Sequence, residues 1–517
     1  MKKMDRLAEV KTIYAQLSKA EKELLHAQLK GFEEIGVRGY EHIYKVLIEI
    51  DRNPRASRKE ILSSADVSSM TTGEFNALIL RMKGYLLEHL HLDVNIERPG
   101  VYNNRFRTEV SNGKKIDQAR ILMDRGINGQ GRKLLEEVVS RSEKYELFDQ
   151  MTAALKLLGF SYSTEKGLRT YKRYEGYIKE AKAKSDAYDR ATEIYAALRM
   201  NEARAGAGPD DTDYEKTAEE LEKISKNFGL LYPSYLALTL KTENHSRRSE
   251  FRKAENACIK LTETIRAQAA AAQSEQRLSI ALLKLAEIQL QLRKFEATEQ
   301  TLNELRKILK RNSFESYLVN KYNCLVHFYS GNIELLNVEL PKILKSKYTL
   351  RLPYASVLFH FYLGVNQFIS GNYKGSLKIL SDETDIDQSV DTDTAIGQNL
   401  FLFMSAAELI GNGEAEVSEQ AEKALKNLET IYETATLRKR DKIIIRLMKR
   451  IKSQEFDFKK TAGLVKDSVK RLDNADPELR WEPISYEIVP IDRWFKSKSS
   501  GRKLKLKVPP APKPEKK

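Results

Sequence analysis

The sequence predicts an all-α protein, and three observations carry that prediction. Proline lacks a backbone N–H and clashes with the preceding helical turn. Of the 13 prolines, seven fall between Pro477 and Pro514, and only Pro209, Pro233, Pro341 and Pro353 fall between residues 100 and 476. That long stretch is rich in the helix formers Ala, Leu, Glu and Lys, and its apolar residues recur at every third and fourth position, as in Leu282–Leu292 and Ala218–Leu231. Alternating, strand-like runs are scarce; the clearest is ISYEIVP, Ile484–Pro490.

Taken in order, the chain divides by composition into six stretches. Residues 1–110 are expected to form an N-terminal helical domain: a long first helix, then YEHIYKVLIEIDRN, SRKEILSSAD and TTGEFNALILRMKGYLLEHL. Three helices with a polar turn before the third are compatible with a helix-turn-helix. The last of them offers Asn76, Arg81 and Lys83 to DNA but also Glu74 and Glu88, and its Leu/Ile content suits compact packing better. Residues 111–204 follow as helical hairpins, and 205–234 as a linker (AGAGPDDTD, Ala205–Asp213) with a connecting helix. Helical repeats are expected over 235–430 and basic capping helices over 431–475. Residues 476–517 are expected to be an extended, disordered Lys/Pro-rich tail that cannot bury a core.

Three turns carry the repeat. FYSGN ends at Asn332, FISGN at Asn372 and ELIGN at Asn412, a spacing of 40 residues each time. Gly supplies the positive φ that closes a helix, and Asn tolerates it or caps the next one. In the middle unit, Leu363–Leu380, the Leu363-Gly364 pair, Phe368, the turn Gly371-Asn372-Tyr373 and the small Ser376 fall in the order of a tetratricopeptide repeat. The unit resembles that family. The flanking units lack Leu-Gly and the period is 40, longer than the family's, so the resemblance is good in one unit and degenerate over 235–430. It implies a right-handed α-solenoid of helical hairpins that exposes a binding groove for protein partners. The N-terminal region together with the array also resembles uncharacterised repeat proteins of the Bacteroidota phylum, which implies no function.

Charge narrows the reading further. The 517 residues carry a formal net charge of +15. Residues 496–517 hold nine Lys/Arg and one Glu, and residues 438–452 hold eight and one Asp, which leaves the other 480 neutral. A chain that coats nucleic acid along its length is therefore not expected. Two cysteines, Cys258 and Cys324, suit a reducing compartment. No apolar segment reaches the ~20 residues of a membrane span, and no secretory signal opens the chain. A cytoplasmic protein is expected.

Motifs for chemistry are weak. Gly126–Lys133 has the glycines of a phosphate loop but Arg132 and Lys133 where that loop has Lys and Ser/Thr, so it is expected to be a turn between helices. His89 and His91 diverge on a helix, and no further His/Cys cluster completes a metal site. Tyr171, Tyr174 and Tyr177 lie among Lys172, Arg173 and Lys179. The stripe is expected to be the buried side of its helix, stacking on bases being the other reading. No cofactor, metal or catalytic group is assigned.

The expected function is a non-enzymatic scaffold or adaptor that binds a protein partner on the repeat surface. The repeat register places Lys321, Phe361 and Phe401 at one first-helix position and Phe328, Phe368 and Glu408 at another, as a candidate partner-binding groove, with intra-repeat core the competing use. The alternative is a nucleic-acid- or ribosome-associated regulator. Its basic surface would be Arg438, Lys439, Arg440, Lys442, Arg446, Lys449, Arg450 and Lys452, with Arg502, Lys503, Lys505 and Lys507 in the tail.

Overall fold

The computed structural model describes residues 6–34, 40–64, 67, 69–90, 102–205, 211–267, 274–309, 314–382, 392–434, 438–473, 476, 478–502 and 504. These residues form 24 α-helices and one short 3-10 turn, and no strand occurs among them. The chain divides into two compact units, Met1–Arg141 and Ser142–Lys517.

In the first unit, α1 (Arg6–Gln16), α2 (Lys19–Glu34), α3 (Tyr40–Arg52), α4 (Arg58–Ser64) and α5 (Thr72–Leu90) share one core. Val10, Tyr14, Leu25, Leu29, Val46, Leu47, Ile61, Phe75, Met82 and Leu86 fill it. Three of these helices start on the same device. Ser18 with Glu21, Ser57 with Glu60 and Thr71 with Glu74 form reciprocal bonds between hydroxyl, carboxylate and backbone N–H at the starts of α2, α4 and α5. Each satisfies two N–H groups that the first turn otherwise leaves without a partner. α6 (Asn104–Asp124) follows, and α7 (Asn128–Lys144) crosses the boundary between the units. Gly126, at φ 78°, closes α6 with a bond from Ile127 N–H to Leu122 C=O, so the glycine-rich motif is a helix-to-helix turn.

The second unit continues with α8 (Phe148–Lys166), α9 (Leu168–Ala205), α10 (Asp211–Phe228), α11 (Leu231–Arg247), α12 (Phe251–Ala267) and α13 (Ser274–Gln291). Next come α14 (Phe295–Ile308), α15 (Phe314–Ser330), α16 (Ile333–Leu344), α17 (Lys347–Arg351), α18 (Pro353–Ile369) and α19 (Tyr373–Asp382). The last are α20 (Thr392–Gly411), α21 (Ser418–Thr434), α22 (Lys439–Ser453), α23 (Phe458–Leu472) and α24 (Ile491–Ser499). Consecutive helices pack on one another: α8 on α9, α11 on both neighbours, α18 on α19, α19 on α20, and α20 on α21. Apolar side chains from Leu282 to Phe495 form one continuous core.

The turn between helices recurs more widely than Gly-Asn does. A left-handed residue sits at Ser249, Arg293, Gly331, Gly371, Gly413 and Glu455, at intervals of 38–44 residues. After each, the next N–H bonds the carbonyl five residues back, as Asn372 does to Gln367 at 2.9 Å and Glu414 to Leu409 at 3.0 Å. The third turn closes at Gly413, not Gly411, which remains inside α20. The same geometry at Ser249, Arg293 and Glu455 is carried by residues with a Cβ, and a left-handed φ costs such a residue about 1–2 kcal/mol. Gly364 is required for packing: a Cβ there would lie 2.5 Å from the Leu380 side chain.

The C-terminal stretch departs from expectation. Residues 478–499 are folded into the core, with Trp481, Tyr486, Ile488, Val489, Ile491, Trp494 and Phe495 all buried. The hydrophobic gain of these large side chains, roughly 1.5–3 kcal/mol each, outweighs the cost of ordering the segment. ISYEIVP makes no strand; it runs through turns and bends into α24. Most of the Lys/Pro segment lies outside the described residues.

Candidate binding face

Residues 478–499 lie across successive turns and helices of the second unit, and their contacts define one face of it. At the near end, Arg480 donates to Ser249 Oγ at 2.7 Å and lies over the Phe251 ring. Next, Arg293 stacks its guanidinium on Trp481, 5.3 Å from the ring centre, and donates to the Trp481 carbonyl at 3.3 Å. Burial lowers the Arg293 pKa to about 10. Tyr329 donates to the Pro483 carbonyl at 2.7 Å. Beyond that the backbone passes so close to α20 that a Cβ on Gly397 would sit 2.9 Å from Tyr486 Cβ and 2.7 Å from the Phe361 ring. Trp494 Nε1 donates to Glu408 at 2.7 Å, and Lys498 pairs with the other oxygen of that carboxylate at 2.6 Å.

A buried charge cluster pins the segment. Arg440, 1% exposed, donates through Nε and Nη2 to both oxygens of Glu487 at 2.6 and 2.7 Å. Its Nη1 donates to the carbonyls of Leu472 and Leu479 at 2.7 and 2.6 Å. Asp492 lies 3.6 Å away, and burial first, then the Glu487 charge, raises its pKa above the ordinary carboxylate value. Beside it, Tyr486 donates to Asp441, whose other oxygen accepts from the Arg438 backbone at 3.1 Å.

These contacts revise the sequence-derived sites. Phe328, Phe361, Phe368 and Phe401 are no more than 2% exposed and pack within the core, Phe361 and Phe368 each against Phe401. They present no ring to a partner, because the hairpins need that bulk to fill the space between helices. Glu408 is buried and engaged by Trp494 and Lys498, and Lys321 is half-buried. Of the basic surface, Arg440 is interior, and Arg438, Lys439, Lys449 and Lys452 pair with Asp441, Glu478, Glu429 and Glu422. Lys442, Arg446, Arg450 and Arg502 are exposed; Lys503, Lys505 and Lys507 lie outside the described residues. His89 is buried, its ring held by Gln28 at 3.2 Å and the Glu21 carbonyl at 3.0 Å, and His91 is not described. Among the described residues no cluster of three metal-ligating side chains occurs.

Where residues 480–482 meet α9, α11 and α13, a depression of about 500 Å³ remains. Its walls carry Arg199, Arg247, Lys284 and Arg480 against Glu202, Glu243, Glu287 and Glu482. Arg199 donates to Tyr195 Oη at 2.9 Å, to Glu202 at 3.0 Å and to Glu243 at 2.5 Å. Burial disfavours its charge most, but Tyr195 and Glu243 together outweigh that and hold its pKa above the usual value. The Tyr214 hydroxyl and Arg199 hold Glu202 below the usual carboxylate range. Arg247 covers the Tyr214 ring at 5.0 Å. Arg480, with only 10% of its side chain exposed, keeps a buried Nε–H without an acceptor. No sequence signal marks this site, because its residues come from positions 199 to 482. The buried segment does have one: the apolar run ISYEIVPIDRWF inside an otherwise polar stretch.

No helix among the described residues is long and apolar enough to cross a membrane. Comparisons of the chain with protein-family models, with curated proteins and with solved structures return no match.

Proposed function

We propose that the chain is a non-enzymatic, cytoplasmic interaction scaffold. In this reading the second unit is a right-handed, tetratricopeptide-like solenoid, its inner face is filled by the chain's own residues 478–499, and a protein partner docks in the depression that remains. The observation that supports it most is the composition of that depression. Four cations and four carboxylates from α9, α11, α13 and residues 480–482 surround one depression, and an Arg480 N–H inside it lacks an acceptor. Mixed charge of this kind selects a partner by electrostatic complementarity. Its carboxylates are engaged by cations or hydroxyls, as Glu202 is by Tyr214 and Arg199, which suits recognition better than proton transfer. The reading as a nucleic-acid- or ribosome-associated regulator through residues 438–452 has less support, since five of those eight cations are paired within the chain.

A photo-crosslinking residue at Lys284 tests this. The expected result is a discrete protein adduct that disappears on Arg247→Glu and persists on Lys216→Glu, an exposed site on α10. No adduct, or one indifferent to Arg247, would overturn it.

A further inference from the structure

The first half of α9 is built unlike the rest of the second unit. From Leu168 to Glu180 the helix buries no side chain; its first buried residue is Ala181. Leu168 is 69% exposed, Tyr171 45% and Tyr177 40%, and Phe160, within the helix packed alongside, is 69% exposed. The stripe expected to be core is thus half outside. Only Tyr174 turns inward, stacked on Tyr162 at 5.9 Å and meeting Tyr177 edge-on at 6.0 Å. Charge follows the same surface. Residues 166–182 contain Lys166, Arg169, Lys172, Arg173, Lys179 and Lys182 against Glu175 and Glu180. Both acids are already paired along the helix, Glu175 with Lys179 at 3.3 Å and Glu180 with Lys184 at 2.8 Å. Arg173 lies over Tyr177 at 5.6 Å and donates to its hydroxyl at 2.9 Å, a preformed cation–aromatic pair at the surface.

We infer that this surface binds single-stranded nucleic acid. Solvated rings cost hydration, and cations not balanced by acids repel each other; a ligand that offers flat π-faces and negative charge at short intervals relieves both. Tyr171 and Tyr177 lie about 9 Å apart along the helix axis and about 120° apart around it, flanking the inward Tyr174, and Arg169, Lys172 and Arg173 lie on the outer side that a strand crosses from one ring to the other. Bases stack on the rings and phosphates meet the cations. A duplex keeps its bases stacked inside and offers only its phosphates. An acidic protein would use the cations and leave the rings idle.

The test is fluorescence anisotropy on the full chain, with a labelled oligothymidylate and an RNA of equal length. Binding at low salt is expected, falling steeply as salt rises, with a log–log slope of about −0.7 per phosphate neutralised. Tyr171→Ala with Tyr177→Ala should weaken it by about tenfold or more, since each stacked base contributes substantially. Arg169→Gln with Lys172→Gln should reduce the slope by about 1.4. All four positions are exposed, and an unchanged thermal melt confirms that the variants are folded. The inference is overturned by no binding at low salt. It is equally overturned if the tyrosine variant binds like wild type, if a duplex binds as tightly, or if polyglutamate competes with the same dependence on the rings.

Discussion

Arg440→Met removes the charge that holds residues 478–499 in place. In the wild type its guanidinium satisfies four acceptors: two oxygens of Glu487 and the carbonyls of Leu472 and Leu479, all within 2.7 Å. Met has similar bulk but no donor, so Glu487 becomes an uncompensated buried anion with the Ile491 N–H, at 2.7 Å, still donating to it. Removing one partner of a buried ion pair costs about 3–5 kcal/mol. Set against the roughly 5–15 kcal/mol that stabilises a typical domain, that is a large share. The assay is built into the sequence: the chain has two tryptophans, Trp481 and Trp494, and both lie in this segment, 4% and 0% exposed. Their emission therefore reports docking of the segment, while far-ultraviolet circular dichroism reports the helices. In urea, the emission midpoint of Arg440→Met should fall well below its dichroism midpoint, with a red shift. Adding Glu487→Met should recover part of the loss, since neither charge is then left alone. Coincident midpoints within about 0.5 kcal/mol of wild type would refute the reasoning, since a surface substitution has effects of that size.

Three further outcomes are expected. Gly397→Ala places a methyl against Phe361 and Tyr486 and should cost about 1–3 kcal/mol by overpacking, read as an early tryptophan red shift, whereas Gly411→Ala, with open space, should not. Glu455→Gly relieves a left-handed φ of 51° and should raise the dichroism midpoint by roughly 0.5–1 kcal/mol, less than the full strain because glycine is also freer when unfolded. In the first unit, burial lowers the pKa of His26 and of His89 below the ordinary 6.5. The unfolded chain then binds protons that the folded unit does not, so stability is complete above about pH 6.5 and is lost as pH falls through the folded values. Backbone hydrogen exchange of α5 should quicken from pH 7.5 to pH 5 after correction for intrinsic rates; slowing would contradict the sign.

The helices were legible because proline scarcity and the three-and-four apolar spacing both report backbone and core at once. The hairpin turns were legible only where glycine carried them: Gly331 and Gly371 announce themselves, while Ser249, Arg293 and Glu455 adopt the same left-handed geometry without a residue that signals it. The packing of residues 478–499 is hidden in the sequence for a related reason. Their prolines and flanking lysines argue against a helix, which is correct for most of the stretch, but packing depends on Trp481, Tyr486 and Trp494 finding a surface that only distant helices supply. Arg440 misled likewise, since its acid, Glu487, lies 47 positions away. A basic run looks solvated until its partners are in place. The depression joins Arg199 to Arg480, and no local pattern could bring those together.

Residues 478–499 pack into the core of the second unit rather than trailing from it. Hydrogen exchange of the full chain, followed by mass spectrometry over residues 486–499, measures this directly. The Ile491 amide, bonded to Glu487 inside the core, and the amides of α24 should exchange as slowly as those of α20. Exchange within seconds, at the rate of an unstructured peptide, would contradict the account.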